Sequence, residues 1–380
     1  MDRHLVLHVI GGLGTGGTEK VLSRLLAPLR QSGMDAIVVS LTTEGREGAG
    51  MAKDGIEMVA LGMGPGASSI GGLLRLFDLV RTRKPSLIQT WMYHADFVGG
   101  LATLFYRSLP VLWNLRQSNL DSLHNKRSTL WLARACALLS SQWPRRIVCG
   151  SEAARKSHVA FGYKAARMIV IPNGFDLEEF RPNPDARREV RAELGIPDQG
   201  LVVTHIGRFH SQKDYPNLLS AADLVAAARS DVFVVLCGDG VDSSNPLLAE
   251  WATRPALAGR FRLLGNRADI HRILAASDVA VSASIGEGFP NAVGEAMATG
   301  IPCVATDVGD TADLVGEAGI IVAPAEPQAL AGGILGLLAR SSEERSSLGL
   351  KARARIREFF GLELMAARYA GVYREVLEGA

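Results

Sequence analysis

LVLHVIGGLGTGGTEKVLSRLLAPLR, residues 5–30, reads as strand, glycine-rich turn and helix in immediate succession. The run LVLHVI at 5–10 is apolar without alternation, which predicts a strand covered on both faces, as in a parallel sheet. Leu22, Leu25, Leu26 and Leu29 then fall at i, i+3, i+4 and i+7 and line one face of a helix. Strand and helix together are the first half of a βαβ unit. The alternation continues outward through AIVVSL at 36–41, IEMVAL at 56–61, SLIQTW at 86–91, PVLWNL at 110–115, RIVCGS at 146–151 and MIVIPNG at 168–174. This is the pattern of a doubly wound α/β domain.

The texture then changes. FDLEEFRPNPDARREV carries prolines and charges and no strand pattern, and the alternation resumes only at LVVTHIG, 201–207. VFVVLCGDG, RFRLLG, VAVSAS, PCVAT and GIIVAP repeat it, so a second doubly wound domain follows the first. Two domains also suit 380 residues, since one domain usually takes ~100–200. The expected division is an N-terminal domain at 1–180, a C-terminal domain at 181–360, and a helix at 361–380 that packs back on the N-terminal domain.

A hydrophobic fraction of 47% and a charged fraction of 21% fit an ordinary globular chain and argue against disorder. Cys136, Cys149, Cys237 and Cys303 are dispersed, with neither Cys-x-x-Cys spacing nor a His cluster, so they read as reduced thiols rather than metal ligands. The apolar run of MDRHLVLHVIGG is too short for a secretory signal, and no stretch approaches the ~20 apolar residues of a membrane span. A cytoplasmic protein is expected. The net charge of +2 conceals an asymmetry: from Arg75 to Arg167 fifteen Lys/Arg face only Asp78, Asp96, Asp121 and Glu152. No nucleic-acid-binding signature accompanies this surplus, so an anionic membrane face is the preferred partner and nucleic acid is not. KRSTLWLARACALLSSQWPRR at 126–146 reads either as an interfacial helix or as a core helix with basic ends.

Three strings carry chemistry. GGLGTGGTEK at 11–20 joins the first strand to the first helix, and its glycines permit close backbone approach next to free helix N–H groups. Such a turn holds a diphosphate or serves packing alone. It is no Walker A loop, and SLTTEG offers only Glu44 where a dinucleotide-binding domain holds ribose. GRFHSQKDYPNLL at 207–219 puts Arg208 and Lys213 at a strand's carboxyl end, where open α/β sheets bind ligands and two cations suit a leaving diphosphate. GEGFPNAVGEAMATGIPCVAT at 286–306 spaces Glu287 and Glu295 around the helix entry Gly288, Phe289, Pro290 and Asn291. Entry amides there face an anion or a sugar hydroxyl, and a carboxylate binds vicinal hydroxyls.

Together, and with IPNGFD at 171–176, these strings resemble the retaining glycosyltransferases of the GT-B fold, specifically glycosyltransferase family 4, over essentially the whole chain. The resemblance implies two Rossmann-like domains facing a central cleft. It implies that Arg208 and Lys213 stabilise the nucleotide diphosphate, that Glu295 holds the ribose, and that Glu287 with the amides after it contacts the donor sugar. Gly14, Thr15 and Gly16 would face the phosphates on closure, Asn173 would join the donor site, and the backbone of GNRADI at 265–270, with Arg267 beside it, would read the base.

His94, in QTWMYHAD at 89–96, stands at a strand's carboxyl end, where it orients or deprotonates an acceptor hydroxyl or makes a structural hydrogen bond. Relatives carry a further histidine after the next strand; here Arg116 and Gln117 replace it. The resemblance implies transfer with retention from a nucleotide sugar, UDP first and GDP second, to a glycan or lipid-linked acceptor. No metal or other cofactor is expected. A nucleotide-sugar epimerase or phosphorylase of the same architecture, or a silent nucleotide-sugar-binding module, are the alternatives.

Overall fold

A computed structural model describes residues 3–14, 16–64, 67–121 and 125–379 and divides them into two compact units. The first unit takes residues 1–174 and 362–380, the second 175–361.

In the first unit the strands β1 (His4–Ile10), β2 (Met34–Ser40), β3 (Glu57–Ala60), β4 (Leu87–Trp91), β5 (Val111–Leu115), β6 (Arg146–Cys149) and β7 (Met168–Val170) form one sheet, in the order β3-β2-β1-β4-β5-β6-β7. Every pairing is parallel. The crossovers are α1 (Gly17–Gln31), α2 (Gly45–Lys53), α3 (Ala67–Arg83), α4 (Met92–Phe105), α5 (Arg127–Leu139) and α6 (Glu152–Phe161). Helices α3 to α6 bury Leu76, Tyr93, Ala133 and Ala154 against one sheet face. Helix α1 buries Leu22, Leu25, Leu26 and Leu29 against the other, as the i, i+3, i+4, i+7 stripe requires.

The second unit repeats the design with β8 (Leu201–Ile206), β9 (Val232–Cys237), β10 (Phe261–Leu263), β11 (Val279–Ser282), β12 (Cys303–Thr306) and β13 (Gly319–Val322), all parallel, in the order β10-β9-β8-β11-β12-β13. Its helices are α7 (Pro184–Glu193), α8 (Tyr215–Ala228), α9 (Pro246–Ala252), α10 (Ile270–Ala275), α11 (Asn291–Ala298), α12 (Thr311–Val315), α13 (Pro327–Leu338) and α14 (Ser342–Phe359). The final helix, α15 (Leu362–Glu378), belongs to the first unit, where Met365, Ala366, Tyr369, Ala370, Tyr373 and Val376 share the core of α1.

The division falls at Gly174/Phe175, six residues before the boundary expected at 180/181, because Phe175 is already anchored in the second unit. Its N–H donates to the Phe360 carbonyl at 2.9 Å and its ring stacks on Phe289 at 6.2 Å. A composition shift registers where charges and prolines begin, at Arg181, and does not register a single buried ring. All four cysteines are buried free thiols.

Both sheets reverse their winding at one place. In the first unit the switch lies between β1 and β4, in the second between β8 and β11. The carboxyl ends of those strands are where loops diverge and leave room for a ligand.

Candidate active site

In the second unit the two loops at the switch point are the string after β8 and the string after β11. The first leaves β8 at Gly207, whose N–H donates to the Cys237 carbonyl at 2.9 Å, while the Phe209 N–H donates to Asp239 at 2.7 Å. A methyl group at Gly238 would stand 2.0 Å from the Gly207 oxygen, so only glycine lets the neighbouring loop come this close. Tyr215 closes the turn from behind, its hydroxyl donating to Gly207 O at 2.6 Å. Asp214 sits at φ +46° and ψ +57°, an uncommon conformation for a non-glycine residue. It caps α8 there, accepting from the Asn217 N–H at 3.4 Å.

The loop after β11 is tied to the first. The Ile285 N–H donates to the Gln212 carbonyl at 2.9 Å, and Thr306 donates to Ser284 O at 2.6 Å. Gly309, at φ +56°, lies so close that a methyl there would reach 2.2 Å from Glu287 O. The result is that Lys213 Nζ and Glu287 Oε1 form an ion pair, with Ser284 Oγ donating to the same carboxylate oxygen at 2.8 Å. Both side chains are largely enclosed, at 22% and 14% exposure, so each needs the other's charge. Arg208 is exposed and makes no side-chain hydrogen bond or ion pair among the described residues.

Glu287 continues through Gly288 and buried Phe289 to Pro290, the cap residue of α11, and to Asn291 at its first position. Glu295 follows on the same helix, only 8% exposed. The helix can lie this low because Gly294 admits the Phe175 ring; a methyl group there would stand 1.9 Å from Phe175 Cζ. Arg267 is engaged elsewhere. Its guanidinium pairs with Asp269 at 2.8 Å and Glu193 at 2.6 Å, and these two bonds raise its pKa above the ordinary value. The part of GNRADI left for a ligand is backbone.

Sequence reading passed over His205. It is buried in β8, its Nδ1 lies 3.0 Å from Val281 O, and its Nε2 has no partner. Burial above all, with the nearby Lys213 charge adding, pushes its pKa down to about 4, so it stays neutral beneath the cationic loop. A lone histidine in an apolar strand was the only available signal.

In the first unit the glycine string follows β1. Thr42 Oγ1 donates to Gly11 O at 3.0 Å and the Glu47 N–H to Leu13 O at 3.2 Å, so segment 42–47 props the loop. Gly14 is exposed with open space where a side chain would go. Gly16 precedes α1, and a methyl there would stand 2.3 Å from a carboxylate oxygen of Glu19. That carboxylate hangs over the helix N-terminus, so an anion approaching α1 meets a negative charge. Thr15 lies outside the described residues.

At the end of β4, Met92 adopts φ +70° and opens α4. His94, in the first turn, is exposed, makes no hydrogen bond among the described residues, and has its pKa lowered by desolvation. The structural hydrogen bond is not what holds it. Asn173 is less available. It is 6% exposed, and its Oδ1 accepts from Arg116 Nη1 at 2.6 Å inside a first-unit cluster. Arg116 also donates to the Tyr369 hydroxyl, and its guanidinium lies over the rings of Trp91 (5.5 Å) and Tyr369 (5.9 Å). Asn114 donates to the same hydroxyl at 2.7 Å. Through these contacts Arg116 ties α15 to the ends of β4 and β5.

Among the described residues no three or more His, Cys, Asp or Glu side chains gather as a metal site, and no helix is long and apolar enough to cross a membrane.

Residues 15–179 match the family described as Glycosyltransferase Family 4, and residues 200–340 match Glycosyl transferases group 1. The putative glycosyltransferase EpsF of Bacillus subtilis is 28% identical over 310 residues, covering 80% of this chain and 79% of that protein. The UDP-Gal:alpha-D-GlcNAc-diphosphoundecaprenol alpha-1,3-galactosyltransferase of Escherichia coli is 29% identical over 242 residues, 62% of this chain and 61% of that one. Anabaena HepE, solved in complex with UDP and glucose, superposes with a TM-score of 0.85 over 98% of this chain and 100% of its own, at 23% identity. At that identity the likeness speaks for the fold.

Proposed function

The chain belongs to the group 1, family 4 glycosyltransferases, and on that premise we propose that it moves a hexose from a UDP-sugar, with retention, to a hydroxyl of a glycan or lipid-linked acceptor. The observation that carries the reading is the meeting of Lys213 and Glu287 at the switch point of the second sheet. A diphosphate arriving there finds an enclosed ammonium already aimed by a carboxylate, and an exposed guanidinium, Arg208, with no other partner to leave. A cation held in the way Lys213 is held favours the charge that builds on a leaving nucleoside diphosphate more than the ground state, which is the condition for accelerating the step, and Arg208 adds a second positive charge beside it.

Glu287, relieved of part of its bond to Lys213, is placed for the hydroxyls of the donor sugar, and Glu295 for those of the ribose. The acceptor hydroxyl then attacks the anomeric carbon from the face the nucleotide leaves, with a donor phosphate oxygen taking its proton. In the first unit His94 orients the acceptor. The positive charge comes from Arg208 and Lys213, and metal independence is part of the proposal.

UDP as the nucleotide, and a lipid-linked acceptor in glycan assembly, are supported by the UDP-Gal and diphosphoundecaprenol in the name of the E. coli relative and by the UDP bound to HepE. Reaction with a panel of UDP- and GDP-sugars, followed by NMR of the anomeric proton in the product, tests the proposal. Retained configuration with a UDP-sugar, unaffected by EDTA, supports it. Inversion, or consumption only in the presence of a divalent metal, overturns the mechanism.

A further inference from the structure

We infer that the outer face of α3, α4 and α5 in the first unit docks on an anionic lipid surface. Every large apolar residue strongly exposed among the described residues of this unit lies on these three helices: Ile70, Leu74, Leu104, Phe105, Trp131 and Leu138, from 56% exposed at Leu104 to 81% at Leu138. The helices on the opposite sheet face contribute none. Scattered single apolar residues are ordinary on a surface; their confinement to one side is not.

The three helices pack on one core beneath them, α4 lies against α5, and α3 meets the end of α4. On α3, Ile70, Leu74 and Phe77 follow at i, i+4 and i+7, and the Phe77 ring meets Phe105 of α4 at 4.8 Å. On α5 the outward residues Arg127, Trp131, Arg134 and Leu138 alternate basic and apolar, and the Arg134 guanidinium lies over the Trp131 ring at 5.8 Å. On α5, Ala133, Cys136 and Ala137 face the core, while Trp131 and Leu138 face out, so a helix that packs on the sheet keeps an apolar outer edge.

Charge selects the occupant. Arg75, Arg107, Lys126 and Arg127 are exposed around the apolar residues and pair with no acid among the described residues. A second copy of this face would set like charges against each other, whereas anionic head groups complement them while the acyl boundary takes the tryptophan and leucine. The inference stands apart from the chemistry of the second unit, because docking needs no donor.

The test is co-sedimentation of the full chain with vesicles of phosphatidylglycerol and phosphatidylcholine, or of phosphatidylcholine alone, at low and high salt. The expected result is binding to the anionic vesicles only, weakened by salt, and roughly tenfold or more weaker for Trp131→Ser/Leu138→Gln. Leu350→Ser, which removes a leucine exposed on the second unit, should leave it unchanged. Absence of anionic-vesicle binding by the folded wild type overturns the inference, as does equal loss in the Leu350 variant. So does a dimer in solution that Trp131→Ser/Leu138→Gln converts to monomer, which would make this face a contact between copies. UDP-sugar consumption measured on the same samples without vesicles reports separately on the transfer reaction.

Discussion

Lys213 and Glu287 are ion-paired although 74 residues apart in the chain, each leaving the carboxyl end of a different central strand. Lys213→Ala removes the counter-ion of a largely enclosed carboxylate, at a cost of ~1–3 kcal/mol. It also removes a transition-state cation, at a cost of ~100-fold or more in transfer. Lys213→Ala/Glu287→Gln should recover most of the stability in denaturant titrations and none of the rate. Recovery of the rate would reduce the pair to a structural bridge.

The glycines at the two sites separate packing from chemistry. Gly294→Ala puts a methyl 1.9 Å from the Phe175 ring and should destabilise the second unit by ~1–3 kcal/mol by overpacking, shifting Glu295 with it. Gly14→Ala meets no atom within 4 Å and should leave the melting temperature in place. If the loop approaches substrate, that variant loses transfer while staying folded; full activity would assign the loop to packing.

How much of this was legible in the sequence follows from how local each cause is. Strand, turn and helix are set by neighbours in the chain, so the doubly wound pattern and the loops holding Arg208, Lys213 and Glu287 could be placed from their strings. Arg116 could not, because its partners Asn173 and Tyr369 lie 57 and 253 residues away and no local pattern marks them. For the same reason the bonds that join Asn173 to Arg116 and Arg267 to Glu193, 57 and 74 residues apart, leave no mark in the local sequence. The Glu19 carboxylate over α1 was in plain view as an acid in the first turn, but its effect on an anion site depends on where the side chain folds.

Stability should fall on both sides of a maximum. His8, His158 and His205 are buried, and desolvation lowers their pKa values to about 3, 4 and 4 from 6.5. They bind protons more readily unfolded than folded, so their contribution is complete above pH ~6.5 and is lost as pH falls toward ~4. Asp96 runs the opposite way. Burial raises its carboxyl to about 7 from 3.8, so its contribution is complete below ~4 and is lost as pH rises through ~7. Asp96→Asn keeps the acceptor for Thr90 Oγ1, which donates at 2.5 Å, and should stabilise the protein at pH 8 by up to ~4 kcal/mol, with no gain at pH 4. Denaturant midpoints across pH measure this; an equal gain at both pH values would contradict it.

His94 is exposed and unbonded among the described residues, so His94→Ala should leave stability within ~0.5 kcal/mol. If it orients the acceptor, transfer falls while hydrolysis of the donor by water does not. Equal loss of both would move His94 to the donor's side of the reaction.

Calorimetric titration of UDP, GDP, ADP and NAD into the wild-type chain and into Lys213→Ala reaches the central claim most directly. One nucleoside diphosphate, UDP, should bind the wild type tightly and lose that affinity in the variant. Binding of NAD alone, or of no nucleotide by a folded sample, would contradict the donor site at Lys213 and Glu287.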